Sequence, residues 1–387
     1  MADNNENKVL NVPHLRFPEF SGEWEEHTLS EYLEFKNGLN PDAKRIGSGL
    51  PFISVMDILS EGVINYDNIR GKVNATEKEI ECFGVKDGDL LFQRSSETLE
   101  DVGRANVYMD NRTAIYGGFV IRGRKIGNYD PLFFKYLLAT PLARKRTCRM
   151  GAGAQHFNIG QEGLSKISLY FPSIEEQRKI AGFLSLIDER IATQNKIIED
   201  LKKLKSAISE RLFNAIKGDV VVLEDIGDVV KGKQINGEFL SESGKYYVMN
   251  GGIEPSGFYN DYNVEANTIS ISEGGNSCGY VQFNACPFWS GGHCYTIQNT
   301  TDNVKTEYLY QFLKSKESEI MKLRIGSGLP NIQKKDLAKF KITIPNISEQ
   351  KVISAFLSSF ERKADVEMNF VNLLLEEKQY LLRQMFI

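Results

Sequence analysis

Cys278, Cys286, His293 and Cys294 fall within a 17-residue window and form the densest group of soft metal ligands in the chain. A zinc knuckle needs two close pairs, whereas the gaps here are seven and six residues, so plain buried thiols are the better reading. The four histidines, His14, His27, His156 and His293, include no H-E-x-x-H pair that one helix face could present to a metal. No G-x-x-x-x-G-K-[ST] loop is present to cradle nucleotide phosphates. Asp130-Pro131-Leu132-Phe133 approximates an amino-methyltransferase tetrapeptide but lacks its second proline. An Asp cap followed by Pro at the first helical position explains it better. Carboxylates are plentiful, and nothing singles out any two as an acid and base pair. No catalytic residue, metal site or cofactor is assigned to this chain.

The remaining chemistry is that of binding. The net charge of −4 hides local extremes. Residues 1–31 carry seven acids against two bases, while residues 122–149 carry eight bases against the single acid Asp130. Residues 305–341 hold nine bases against four acids. Clusters of this kind, rather than net charge, decide what a face attracts. Candidate phosphate contacts are Arg122, Arg124, Arg144, Lys145, Arg146 and Arg149 in the first cluster, and Lys322, Arg324, Lys334 and Lys335 in the second. Glycine-rich loops accompany both clusters: Gln93-Arg94-Ser95-Ser96, Gly103-Arg104 and Gly151 to Asn158, then Glu273 to Tyr280, Trp289 to His293 and Arg324 to Lys334. Glycine lets a backbone approach phosphate closely, and Arg, Asn, Gln and His can read base edges. Candidate base readers are Arg94, Arg104, Gln155, His156, Asn276, His293 and Gln333. For any one of these residues alone, turn chemistry is the plainer explanation.

Positioning such loops falls to a tandem repeat. Asn158-Ile159, Leu164, Pro172, Glu176-Gln177, Ile180, Phe183-Leu184 and Phe213 recur 173 positions later, from Asn331-Ile332 to Phe386. Upstream the match loosens but persists: Gly151 and Gly153 correspond to Gly326 and Gly328, Gly117-Gly118 to Gly291-Gly292, and Gly38 to Gly232. The expected organisation is a tail at 1–14, a variable domain at 15–172, a long helix at 173–216, a second variable domain at 217–345 and a matching helix at 346–387. The variable domains mix short β runs, such as Asp89 to Gln93, Phe119 to Arg122 and Thr268 to Ser272, with turns and one short helix each, near Pro131 to Ala143 and Thr306 to Ile320. Ser173 and Ser348 are the expected N-caps of the long helices.

Within the helices, Ile187, Ile191, Gln194, Ile198, Leu201, Lys205, Ile208 and Leu212 are spaced 4-3-4-3, as are Phe360, Ala364, Glu367, Val371, Leu374, Lys378, Leu381 and Met385. Such spacing is a coiled-coil seam, although an amphipathic helix packed on its own domain has a similar pattern. Antiparallel pairing with matched ends would set Lys205 opposite Glu367 and Gln194 opposite Lys378. The fold class is α+β: two similar α/β domains in tandem, joined by two long helices forming an antiparallel coiled coil. A chain of 387 residues exceeds one ordinary core, and 41% apolar with 25% charged residues is ordinary for a globular protein. No apolar run is long enough to span a membrane, the first eight residues lack signal-peptide character, and five cysteines suit no disulfide framework, so the cytoplasm is the expected compartment.

A variable domain, a helix, a second variable domain and a matching helix together resemble the specificity (S) subunit of Type I restriction-modification systems. The likeness is carried by Gly88-Asp89-Leu90-Leu91, by Pro172 to Gln177 with Ile180 to Leu184, and by Pro345 to Gln350. Thr268 departs from it, standing where the first half has Asp89. The resemblance implies a non-catalytic subunit whose two target recognition domains read the halves of an asymmetric, bipartite double-stranded DNA sequence. It implies as partners two methyltransferase (M) subunits using S-adenosylmethionine, and restriction (R) subunits that translocate DNA with ATP and Mg. The seam from Ile187 to Leu212 spans about 38 Å at ~1.5 Å per residue, close to the ~34–36 Å turn of B-DNA, so the helices would act as a ruler. Two other classes stay open, a DNA-independent coiled-coil adaptor and a DNA-modifying enzyme with unrecognised motifs.

Overall fold

The computed structural model describes residues 10–153, 155–326, 328 and 330–387. Most of the expected tail, residues 1–9, and Ala154, Ser327 and Leu329 of the glycine-rich loops lie outside the described residues. The chain forms two compact units, Met1–Gln194 with Phe370–Ile387, and Asn195–Asn369. Each contains one variable domain and a stretch of both long helices.

In the first unit a four-stranded sheet runs in the order Leu33–Asn37, Val120–Lys125, Leu90–Gln93, Ala105–Val107. Leu90–Gln93 is an interior strand, and all four of its residues are buried, which is why its sequence is an apolar run rather than an alternation. A three-stranded sheet sets Ile46–Ile53 between Lys72–Val73 and Ile115–Tyr116, the latter pairing parallel. Glu25–Thr28 and Ser168–Phe171 close the domain as an antiparallel pair.

The second unit repeats this plan. Its four-stranded sheet runs Asp228–Lys231, Cys294–Gln298, Thr268–Ser272, Val281–Asn284. Tyr246–Met249 lies between Phe258–Tyr259 and the parallel Trp289–Ser290, and Asp219–Val222 pairs with Lys341–Ile344. The repeated glycines mark one close crossing in each unit. A Cβ on Gly38 would stand 2.1 Å from the Gly117 carbonyl oxygen, and a Cβ on Gly232 2.2 Å from that of Gly291. No other residue fits either place.

At the place of the one short helix expected in each domain stands a pair, Pro131–Ala139 and Pro141–Cys148, then Thr306–Ser315 and Glu317–Met321. Further short helices lie at Val55–Ile58, Glu77–Phe83 and Gln161–Ser165 in the first domain and at Leu223–Ile226 and Lys334–Ala338 in the second. Thr140 breaks the first pair because a residue before proline is driven to extended backbone, and its ψ is 153°. Asp130 does cap its helix, its carboxylate accepting from the Phe133 N–H at 2.8 Å with Pro131 at the first position.

The long helices run Ile174–Ala215 and Ile347–Gln384. Ser173 caps the first loosely, but Asn346 rather than Ser348 caps the second, accepting from the Glu349 N–H at 3.0 Å. The repeated glutamines clasp each helix to its domain. Gln177 accepts from the Asp130 N–H at 3.0 Å and donates to the Pro172 carbonyl at 2.9 Å, while Gln350 accepts from Lys305 at 2.8 Å and donates to Pro345 at 2.9 Å. The repeated phenylalanines plug cores. Phe386 packs on Trp24 and stacks with Phe133 in the first unit, and Phe213 packs on Tyr308 and Phe312 in the second.

The sixteen seam positions are all buried or half-buried. Their polar partners differ from the matched-ends expectation. Lys205 Nζ donates to Glu361 at 2.8 Å rather than reaching Glu367, and Lys378 Nζ donates to Asp188 at 2.5 Å rather than reaching Gln194. Glu361, on the second long helix, also gathers the Tyr310 hydroxyl and the Gln311 amide, so the domain holds the lysine's partner in place. No described helix is long and apolar enough to cross a membrane.

Candidate nucleic-acid interface

Three glycine-containing loops converge in each unit, held by the same backbone bonds. In the first, Gly38 N–H donates to Val120, Gly117 to Ile53, Arg94 to Phe119 and Ile159 to Arg94, and Ala152 and Asn158 exchange a reciprocal pair. In the second, Gly232 donates to Cys294, Gly291 to Met249, Glu273 to His293 and Ile332 to Glu273, and Ile325 and Asn331 exchange the reciprocal pair. These bonds set up residue equivalences that the sequence offset blurs: Asn37 with Lys231, Arg94 with Glu273, Phe119 with His293, and Ile121 with Tyr295. One backbone frame therefore presents different chemistry in its two copies.

In the first frame Arg94 is half-buried, one guanidinium nitrogen 3.4 Å from the Gly118 carbonyl. Beside it Phe119 is 67% and Met56 73% exposed, and with Ile46 and Phe52 they line an open apolar hollow of about 400 Å³. Gln155 and His156 are exposed on the loop that Ala152 and Asn158 pin. Arg104 is exposed and paired with Asp101 at 2.7 Å.

The second frame is polar. Glu273 is 8% exposed, and Lys231 Nζ donates to its Oε1 at 2.6 Å. The Tyr295 hydroxyl lies 3.0 Å from the same oxygen, and His293 Nδ1 is 3.6 Å from Oε2. Burial, and then the neighbouring Glu273 carboxylate, hold the Tyr295 hydroxyl well above its ordinary range. Asn276 and His293 are exposed, and Gln333 is half-buried, donating to Asn331 at 3.3 Å.

The basic clusters divide. Arg122 is corrected from a phosphate contact to a buried structural cation: it donates to the Gly84 carbonyl at 3.0 Å and lies over the Tyr116 ring. Arg124 pairs with buried Asp89 at 3.0 Å and donates to Gly84 at 2.6 Å. Burial pushes the Asp89 carboxyl up, against the pull of the Lys86 N–H and Arg124. Arg144 donates to the carbonyls of Glu100 and Val102, and Arg146 to Ser168 and, at 2.9 Å, Glu26. Their guanidinium groups tie loops together. Lys145 and Arg149 are exposed in the first unit, as are Lys322, Arg324, Lys334 and Lys335 in the second, on either side of the pinned loop.

Sequence reasoning missed Lys231, Glu273, Tyr295, Phe119 and Asn37. The available signal was the alignment of Leu90–Gln93 with Thr268–Ser272, after which Arg94 and Glu273 fall together. The cysteines do not converge: Cys278 is buried with its thiol 3.0 Å from the Glu273 carbonyl, Cys294 is buried, and Cys286 is exposed. Among the described residues no three His, Cys, Asp or Glu side chains gather as a metal-binding group.

A family model for the Type I restriction modification DNA specificity domain matches residues 21–203 and again 217–374. A putative type I restriction enzyme specificity subunit of Methanocaldococcus jannaschii is 23% identical over 93% of this chain and 92% of its own length. A putative type I specificity subunit of Mycoplasma pneumoniae is 34% identical over 41% of this chain, which spans only 42% of that relative. The solved structure of a Type I restriction-modification S subunit from M. genitalium shares the fold, with a TM-score of 0.63 over 97% of this chain and 99% of that one at 19% identity.

Proposed function

Since the chain belongs to the family of Type I restriction-modification DNA specificity subunits, we propose that its two domains read the two halves of one asymmetric, bipartite duplex sequence. The observation that carries this reading is the repeated frame with exchanged side chains. Asn37, Arg94 and Phe119 in one copy are replaced by Lys231, Glu273 and His293 in the other, while the bonds that place them are kept. Two readers of different half-sites need this combination, since hydrogen-bond donors and acceptors decide which base edge fits. Lys145 and Arg149, and Lys322, Arg324, Lys334 and Lys335, would meet phosphate and make binding steeply salt-dependent.

The long helices would serve as spacer and as the docking surface for two methyltransferase subunits. Leu186, Leu204, Val352, Val366, Leu373 and Tyr380 are exposed along them, and a partner surface would remove that apolar area from water. S-adenosylmethionine chemistry would belong to those partners, and ATP and magnesium to restriction subunits joining them, leaving this chain to bind and orient DNA without catalysing.

Single-molecule methylome sequencing of the host, with the gene present and deleted, tests the proposal. The expected result is loss of methylation at one bipartite, asymmetric motif. A methylome unchanged in a host whose methyltransferase is expressed would instead favour a DNA-independent adaptor.

A further inference from the structure

We propose that Glu273 is the positioning residue of the second domain's base-reading site, fixing the Lys231 ammonium as the donor group for guanine. A carboxylate facing DNA would be repelled by phosphate, but this one is buried and paired with the Lys231 ammonium. Lys231 is itself 51% exposed, so its remaining ammonium N–H donors face solvent while one is held by the carboxylate at 2.6 Å. His293, 64% exposed, stands with Nδ1 3.6 Å from Oε2 without bonding to it. The Tyr295 hydroxyl, in the sheet beneath, lies 3.0 Å from the same Oε1 and 3.1 Å from the Ile332 carbonyl, bracing that oxygen from below. Lys231 ends a strand, Glu273 follows the interior strand and His293 closes the Gly291-Gly292 turn, so three separate elements aim at one point. The two free N–H donors of an ammonium held in place match guanine, whose major-groove edge offers two acceptors, O6 and N7. In the first domain the equivalent place is taken by Arg94, whose guanidinium carries both donors on one side chain.

The inference rests on the DNA-reading function proposed above, and the experiment separates the two. Methylomes are compared for hosts carrying the wild-type gene, E273Q and K231M, with thermal melting of each purified chain as a folding control. Expected is a motif in which one guanine of one half-site loses discrimination by about 5- to 150-fold in both variants. The other half-site and the melting temperatures should stay unchanged. A motif unaltered by E273Q would overturn the inference. So would a change in E273Q that K231M does not share, because Glu273 would then be reading an amino group itself. A wild-type chain that supports no methylated motif would overturn the underlying function instead.

Discussion

Arg122 and Arg149 belong to the same basic cluster, yet burial gives them opposite jobs. Arg122 has lost its water and is stabilised by the Gly84 carbonyl and the Tyr116 ring, while Arg149 remains solvated. Replacing Arg122 with Ala should cost about 2–3 kcal/mol, from lost packing and a charge-assisted bond to a buried carbonyl, measured by denaturant unfolding. Lys145→Ala and Arg149→Ala should change stability by no more than about 0.5 kcal/mol and should each lower the salt slope of DNA binding by about one. Equal stability losses in the two groups would contradict this division. A count of charges along the chain weighs all eight bases alike, because solvation is decided only when the strands assemble.

At the scale of elements, the 4-3 spacing defines which face of a long helix is covered but not how far one helix slides along the other. That offset is settled by what the helix ends must reach: Phe386 its place beside Trp24 and Phe133, and Phe213 its place beside Tyr308 and Phe312. Lys205 therefore meets Glu361, which the domain has already equipped with Tyr310 and Gln311. A double-mutant cycle with Lys205→Met and Glu361→Gln should show a coupling of about 0.5–1 kcal/mol, typical of a partly exposed ion pair. A larger coupling of Lys205 with Glu367 would reinstate the matched-ends register. The glutamine clasps, by contrast, were legible as a repeated Glu-Gln pair, although only the structure shows that Gln177 and Gln350 each satisfy a helix-start N–H and a carbonyl at once.

At the scale of the whole molecule, the spacer reading ties helix length to the gap between half-sites. Removing one heptad from each long helix shortens it by about 10 Å, at ~1.5 Å per residue, equivalent to about three base pairs at ~3.4 Å each. A complex that remains active should methylate a motif whose unread gap has changed by that amount. An unchanged gap in such a complex would show that the helices do not set it.

What the amino-acid sequence determined by itself was the order of the parts: two related domains, two matching helices and the residues that repeat between them. Such features are written as periods and offsets along one dimension, and the 173-residue offset needs no folding to be seen. The tertiary structure decided which charges face water and which side chains share a point. Lys231, Glu273, His293 and Tyr295 are separated by as many as 64 residues and meet only because sheet pairing and a glycine crossing bring three strand ends together. Burial and convergence are properties of three-dimensional packing, and no local spacing encodes them.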